Sequence, residues 1–159
     1  MRIANTDGPL SVHAVAGTHV VLFGINLKKT ARQGVLGFGI QTRDLANNEN
    51  PVWLQGFKSF KQFDIPRGKL VYTNEQPVQA FLWGDYTARK DHEYEYQIVA
   101  MRGQPDNLSE SDDVFITVKM DKEANAINSV YFNRGVAGSQ AYVKKFGNKK
   151  PEEVGKKGI

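Results

Sequence analysis

The most informative stretch of the sequence is His92-Glu93-Tyr94-Glu95-Tyr96-Gln97-Ile98-Val99-Ala100-Met101, because its apolar or aromatic side chains alternate with polar ones. A period of two is that of a half-buried β-strand. One predicted face carries Tyr94, Tyr96, Ile98 and Ala100. Val99 and Met101 make the end of the opposite face apolar as well. The stretch therefore predicts a central strand of a packed sheet.

Shorter runs of the same kind occur along the rest of the chain. They predict further strands over residues 10–16, 20–25, 35–42, 52–54, 78–86 and 114–118. Turn-forming residues predict loops over residues 27–35, 44–51 and 103–113. About seven short strands, with no strong helical pattern before residue 138, predict an all-β fold, a fibronectin type III or immunoglobulin-like β-sandwich.

Two segments depart from the strand pattern. Residues 56–66 carry phenylalanines at three-residue spacing, which suits either a short helical turn or an aromatic and basic loop. Residues 138–146 predict a short helix, and a basic tail follows it. We therefore divide the chain into a β-sandwich domain, residues 1–132, and a short helix with a linker or truncated join to a following domain, residues 133–159.

Composition excludes several classes of protein. The 159 residues suffice for one domain with a real core, and the absence of cysteine excludes disulfides, thiolate nucleophiles and thiolate metal sites. No signal-peptide core opens the chain, and no apolar run reaches the roughly 18 residues that a membrane span needs. These features predict the cytoplasm as the compartment and no membrane span.

The net charge of +4 is unevenly distributed. Residues 1–133 hold 14 Lys or Arg against 15 Asp or Glu, whereas residues 134–159 hold 7 against 2. A nucleic-acid-binding surface normally clusters positive charge on the folded body. The neutral body therefore argues against a broad nucleic-acid footprint. The lysines of the tail could meet an anionic partner, but the pattern favours a solvated linker; they are Lys144, Lys145, Lys149, Lys150, Lys156 and Lys157.

The segment from Tyr94 to Ala100, a Ser-rich turn and the strand from Val114 to Val118 resemble the last two strands of a fibronectin type III domain. In that family a tyrosine at the start of the penultimate strand forms the tyrosine corner, and Tyr94 matches it by position. The resemblance implies that Tyr96, Ile98 and Ala100 continue the inward face. The chain departs from the family where Arg89-Lys90-Asp91 replaces the proline and glycine expected before the tyrosine.

A second resemblance covers most of the chain and includes the run Tyr131-Phe132-Asn133-Arg134-Gly135-Val136-Ala137-Gly138-Ser139-Gln140-Ala141-Tyr142-Val143-Lys144-Lys145-Phe146. With the preceding sandwich, this order of segments resembles the N-terminal region of bacterial proteins of the phospholipase D-like superfamily, in which a small β-domain precedes the catalytic part. The active site of that superfamily pairs two H-x-K-x-x-x-x-D motifs, whose histidines serve as nucleophile and general acid.

No histidine of this chain begins such a motif. Val15, Val21 and Tyr94 stand two positions after the three histidines, where the motif requires lysine. No catalytic residue of the superfamily can therefore be assigned here. The resemblance implies that this chain is an accessory N-terminal piece and that the chemistry lies in a following catalytic domain.

An aromatic and basic cluster is the best candidate for ligand contact. It comprises Trp53, Phe57, Lys58, Phe60, Lys61, Phe63 and Arg67. Aromatic rings with interleaved cations can stack on bases or sugars and hold phosphates, which would give an anionic ligand. The alternative is that the rings cover the edge of the sandwich while the lysines face water.

Other motifs give weaker signals. His13, His19 and His92 are too scattered for a metal signature, and Glu110, Asp112 and Asp113 lack the glycine and terminal glutamate of a calcium loop. The glycines of residues 34–39 precede no helix and suit close packing of strands, and no nucleophile elbow is present.

These observations predict a non-catalytic accessory domain of a phospholipase D-like phosphodiesterase, which hydrolyses phosphodiester bonds in lipid or nucleic acid. Its partner would be the C-terminal catalytic domain of the same protein, and no cofactor or metal is expected. The alternative is a free-standing β-sandwich module that binds a protein or carbohydrate by its loops or an exposed strand edge. An enzyme of unrecognised type is disfavoured, because no pattern of nucleophile and base is present.

Overall fold

The computed structural model describes residues 1–66, residues 68–121 and Phe146. The described residues form an all-β fold with ten strands and one short 3₁₀ helix, Lys29–Ala31. The strands are β1 (Arg2–Asp7), β2 (Leu10–Ala16), β3 (Val21–Leu27), β4 (Val35–Asp44), β5 (Val52–Trp53), β6 (Gln55–Gly56), β7 (Val71–Tyr72), β8 (Leu82–Asp85), β9 (Glu93–Gln104) and β10 (Asn107–Lys119). The helix predicted over residues 138–146, Phe146 apart, lies outside the described residues, as do the domain boundary at residue 132 and the basic tail.

Eight of the strands form two four-stranded antiparallel sheets, in the orders β1-β2-β3-β8 and β10-β9-β4-β5. The chain passes from the first sheet to the second between β3 and β4, and again between β8 and β9. Strands β6 and β7 form a small separate pair. The predicted β-sandwich is therefore confirmed, with eight strands in its two sheets instead of about seven.

Strand β9 is the central strand that the alternating stretch predicts. It pairs with β10 on one side and with β4 on the other. Its inward residues are buried in the core, which they share with the inward residues of β2, β3, β4 and β10. Val99 and Met101 on its opposite face are also buried but lie outside that core cluster. Both faces of the strand are thus covered near its end, as the sequence indicates.

Two glycines of β4 allow close packing, as the sequence predicts. A Cβ atom at Gly37 would lie 2.7 Å from the carbonyl oxygen of Val78, so only glycine lets that backbone approach. At Gly39 a Cβ atom would lie 3.0 Å from the ring of Trp53. The chain after β5 is therefore packed tightly against β4.

The prediction of a loop over residues 103–113 is wrong. Strand β9 continues to Gln104 and β10 begins at Asn107, so the turn is confined to two residues. Gly103 makes the tight reversal possible, because its φ is +110° and a Cβ atom there would lie 2.4 Å from the carbonyl oxygen of Asn107. Pairing with β9 outweighs the turn preference of the Ser and Asp residues, which mostly face solvent at the edge of the sheet.

Three other boundaries differ from the prediction. The sequence pattern does not predict strand β1. Ile3 is its only residue that is even partly buried, so the strand needs no alternation of apolar and polar side chains. The strand predicted over residues 78–86 shortens to β8, and Val78 forms only an isolated bridge to Phe38. The 3₁₀ helix Lys29–Ala31 interrupts the loop predicted over residues 27–35.

Residues 57–66 form bends and turns. Of the short helical turn and the loop that the phenylalanine spacing allows, the structure therefore shows the loop.

The two long margins of the sandwich differ. We call the side where β1 meets β10 the closed margin, because Asn5 Nδ2 donates a hydrogen bond of 2.6 Å to the carbonyl oxygen of Phe115 and joins the two sheets. We call the other side, where β8 and β5 are the outermost strands, the open margin. There the described residues enclose a groove between the sheet edges.

Candidate functional site

The groove at the open margin has a volume of about 520 Å³. Its lining comes from the segments Val52–Gln55 and Trp83–Thr87 and from residues of the connection between them. Five of the lining residues are aromatic, namely Trp53, Phe57, Tyr72, Trp83 and Tyr86. Ligand sites are typically concave and mostly apolar, so this groove is the candidate binding site.

A buried threonine fixes one wall of the groove. The hydroxyl of Thr73 donates to the carbonyl oxygen of Ile40 at 3.0 Å and accepts from the Ile40 N–H at 2.9 Å. The N–H of Thr73 also donates to the carbonyl oxygen of Leu54. Thr73 thus fastens the segment that contains Tyr72 to the edge of β4, although β7 itself pairs only with β6.

The groove is continuous with the hydrophobic core. Leu54 lines the groove and is also a member of the core cluster. Trp83 packs against that cluster, and its ring stacks on Phe23 with centroids 6.5 Å apart and an angle of 18° between the planes. A side chain that entered the groove would therefore contact the margin of the core.

Asp85 is a buried carboxylate beneath the groove and is only 2% exposed. Its Oδ2 atom accepts a hydrogen bond of 2.8 Å from the hydroxyl of Tyr96. Its Oδ1 atom accepts from the N–H and the hydroxyl of Thr87, at 2.8 and 2.6 Å. Burial, together with the neighbouring Asp85, raises the pKa of Tyr96 far above its usual value, so Tyr96 stays a donor. The carboxylate is already satisfied by groups of the protein itself.

Two of the aromatic rings have fixed neighbours. The ring of Trp53 lies against Gly39, next to Met101, on the outer face of the second sheet. The ring of Tyr86 lies against Gly84, where a Cβ atom would be 3.0 to 3.1 Å from the ring. Tyr72 is the most accessible of the five aromatic residues and is 47% exposed. It offers the largest free aromatic surface in the groove.

The structure separates the rings of the predicted aromatic and basic cluster from its lysines. Trp53 and Phe57 line the groove, whereas Lys58 and Lys61 are exposed and are not lining residues. Phe60 and Phe63 are partly buried and do not line the groove either. Arg67 lies outside the described residues. Among the described lining residues none is Lys or Arg, so the groove itself does not show the cations that an anionic ligand requires.

Sequence reasoning missed Tyr72, Trp83, Tyr86 and Asp85 as site residues. They are remote in sequence from Trp53. The pairing of β8 with β3 places Trp83 and Asp85 on the same margin, and the bonds of Thr73 to Ile40 and Leu54 place Tyr72 there. The aromatic residues within 81–86 are the one feature of the sequence that could have indicated this site. The sequence predicts only an ordinary strand there, because nothing in it shows that the strand is at an edge.

No described strand pairs with the outer edge of β8. Its only partner among the described strands is β3. The N–H of Ile25 donates to the carbonyl oxygen of Phe81 at 2.8 Å, which places Phe81, Trp83 and Asp85 in the hydrogen-bonded pairs of this antiparallel ladder. Leu82 and Gly84 alternate with them, so their N–H and C=O groups point away from β3 to the free edge.

Comparison of the chain with known proteins assigns it to no family. No family model, curated protein or solved structure matches the chain. The parts of the chain that the structure describes contain no helix long and apolar enough to cross a membrane.

Tyr94 makes the bond of a tyrosine corner. Its hydroxyl accepts a hydrogen bond of 3.0 Å from the N–H of Arg89, five residues upstream. Burial raises the pKa of Tyr94 above its usual value. The corner ties the connection between β8 and β9 to the start of β9.

His92 and Asp44 form a pair at the end of the sandwich, where Nδ1 and Oδ2 are 2.6 Å apart. Burial alone would raise the pKa of Asp44, but the hydrogen bond and charge of His92, with donors from Ala46 and Asn47, hold it below its usual value. Neither residue of the pair lines the groove. It stabilises the junction of β4 and β9.

The remaining motifs of the sequence do not form a metal site. Within residues 1–66 and 68–121, no group of three or more His, Asp or Glu side chains could hold a metal ion. Asp112 pairs with Arg102 at 3.1 Å, and Asp113 accepts a hydrogen bond of 2.7 Å from Gln97. These acidic residues therefore hold the hairpin of β9 and β10 together.

Proposed function

We propose that this chain is a non-catalytic binding domain and that its contact surface is the groove at the open margin. The proposal rests on an aromatic groove of about 520 Å³, which is continuous with the core and lies beside a strand edge that no described strand pairs. The absence of any H-x-K-x-x-x-x-D motif from the sequence supports a role without chemistry of its own.

We further propose that the domain is the N-terminal accessory part of a phospholipase D-like phosphodiesterase, which hydrolyses phosphodiester bonds in lipid or nucleic acid. The order of segments along the sequence supports this parent. In that setting the domain would orient the catalytic part or bring a partner to it. The lack of cysteine supports the cytoplasm as its compartment.

The test of the parent protein is the reading frame that follows the codon for Ile159. Two H-x-K-x-x-x-x-D motifs downstream are expected, and the complete protein should then hydrolyse a chromogenic phosphodiester. A stop codon at that position, with a stable and soluble product, would overturn the phospholipase D-like parent. The exposed edge and the groove would then favour the free-standing interaction module, which binds a protein or a carbohydrate.

A further inference from the structure

The free edge of β8 is chemically unlike the other margin strands of the sandwich. Strand β10 carries charged residues along its length, β1 carries Arg2 and Asp7, and Pro51 precedes β5. Charged side chains and prolines protect sheet edges from pairing with other chains. The one charged residue of β8 is Asp85, which is buried, while Leu82 is 62% exposed. Strand β8 therefore lacks the usual protection.

We infer that the open margin binds an extended peptide segment of a partner protein, which adds to β8 as a further strand and places alternate apolar side chains in the groove. This inference rests on the proposed role of the groove as the contact surface, and it names the class of partner. The outward N–H and C=O groups of Leu82 and Gly84 provide two donors and two acceptors for the peptide main chain.

The position of the groove explains how side chains of the peptide would be recognised. Side chains alternate between the two faces of a strand, so every second residue of an added strand points towards the space between the sheets. At this margin that space is the groove, whose lining includes Leu54, Tyr72 and Trp83. Main-chain bonds would provide affinity, and these contacts would select apolar residues.

The buried carboxylate of the groove disfavours the other classes of ligand. A sugar would find no free oxygen on Asp85, because both of its oxygens already accept bonds from Tyr96 and Thr87. An anionic ligand would meet this carboxylate, and no described lining residue is a cation. An uncharged, apolar segment of peptide needs neither a free oxygen of Asp85 nor a cation in the lining.

The experiment selects short random peptides from a display library on the immobilised 159-residue chain and measures their affinity by fluorescence anisotropy. Apolar residues at every second position are expected among the selected peptides. Leu82→Pro removes one outward donor, and proline is tolerated where an edge-strand N–H faces solvent. It should weaken binding about tenfold or more, the equivalent of one or more hydrogen bonds. The matched control, Leu82→Ala, retains the N–H and should bind within about twofold of the wild type.

Two side-chain variants of nearly equal exposure test the groove. Tyr72→Ala removes an aromatic ring that is 47% exposed in the groove, and Phe115→Ala removes one that is 48% exposed on β10. We expect a loss of about tenfold for the first and less than about twofold for the second. Equal affinities for both variants would overturn the assignment of the groove.

The peptide provides a test that does not depend on how the variants fold. N-methylation of successive peptide residues should abolish binding at alternate positions only, because only every second N–H faces β8. Uniform tolerance of N-methylation would overturn strand addition, as would unchanged binding to a folded Leu82→Pro chain. Capture of an oligosaccharide but no peptide, or a dimer that Leu82→Pro dissociates, would also overturn it in favour of a sugar or a second copy. The reading frame after Ile159 tests the parent protein separately, so the two proposals fail by different results.

Discussion

The two margins of this sandwich show how one architecture can produce a closed surface and an open one. At the closed margin, a side chain of β1 bonds the backbone of β10 and joins the sheets directly. At the open margin the outermost strands are short, with four residues in β8 and two in β5, and a groove remains between them. The difference lies in strand length and in polar side chains at the edges, because both margins border the same core.

The largest effect is expected beneath the open margin, where Tyr96→Phe removes a donor from the buried Asp85. A hydrogen bond to a charged group contributes about 1.5 to 3 kcal/mol, and the carboxylate has no other partner for its Oδ2 atom among the described contacts. The free energy of unfolding, measured by urea denaturation, should fall by about 2 kcal/mol. A loss below about 0.5 kcal/mol would mean that Asp85 does not depend on this bond.

A smaller effect is expected at the tyrosine corner, which joins the start of β9 to the connection before it. Tyr94→Phe removes the acceptor of the Arg89 N–H, so the loss should be about 1 kcal/mol in the same denaturation measurement. Both substitutions remove one hydroxyl from an inward tyrosine of β9, and each serves as the control for the other. A loss at Tyr94 that equals or exceeds the loss at Tyr96 would contradict the special cost of the buried carboxylate.

The acid stability of the chain should depend in part on the junction of β4 and β9. The folded pKa of Asp44 is lowered, so its contribution to stability is present above the unfolded pKa of about 3.9 and is lost as the pH falls through the folded value. Asp44→Asn should therefore reduce the stability at neutral pH and make it fall less steeply below about pH 4. The effect is moderated because the side chain of His92 is 23% exposed.

The control for acid stability is Asp64→Asn, which replaces an exposed carboxylate. It should leave the pH dependence of the wild type unchanged. Circular dichroism during acid titration measures both variants. Identical profiles for Asp44→Asn and the wild type would exclude the pair as the origin of the dependence.

The smallest effect is expected at the closed margin. Asn5→Ala removes the bond to Phe115 and also the bond of 2.9 Å that Asn5 Oδ1 accepts from the Thr6 N–H. Because both bonds are exposed, we expect a loss of only about 0.5 kcal/mol in thermal unfolding. Asn26→Ala is the control, because Asn26 is an exposed strand asparagine whose side chain makes no hydrogen bond to another described residue. Equal effects of the two substitutions would mean that the bond between the sheets does not stabilise this margin.

The sequence predicts the interior of this fold better than its edges. The alternation from Tyr94 to Ala100 places β9 correctly because burial imposes a strict period on side chains. Strand β1 and the polar half of β10 lie at sheet edges, where side chains face solvent and no such period is required. Their strand structure comes from backbone pairing with β2 and β9, which a local pattern does not contain.

The candidate site was only partly predictable for the same reason. The aromatic and basic cluster of the sequence predicts Trp53 and Phe57 as contact residues, and both line the groove. Tyr72, Trp83 and Asp85 join them through the order of strands, and the unpaired edge at Leu82 exists only because no described strand follows β8 in its sheet. Local sequence cannot show which strand of a sandwich is outermost.

The most direct measurement is amide hydrogen exchange, by nuclear magnetic resonance, at three successive residues of β8 in the free 159-residue chain. We expect rapid exchange at Leu82 and Gly84, whose N–H groups point to the free edge, and protection at Trp83, whose N–H pairs with β3. Addition of a selected peptide should then protect Leu82 and Gly84. Protection of all three amides in the free chain would contradict an open margin, because it would show that the edge of β8 is already paired.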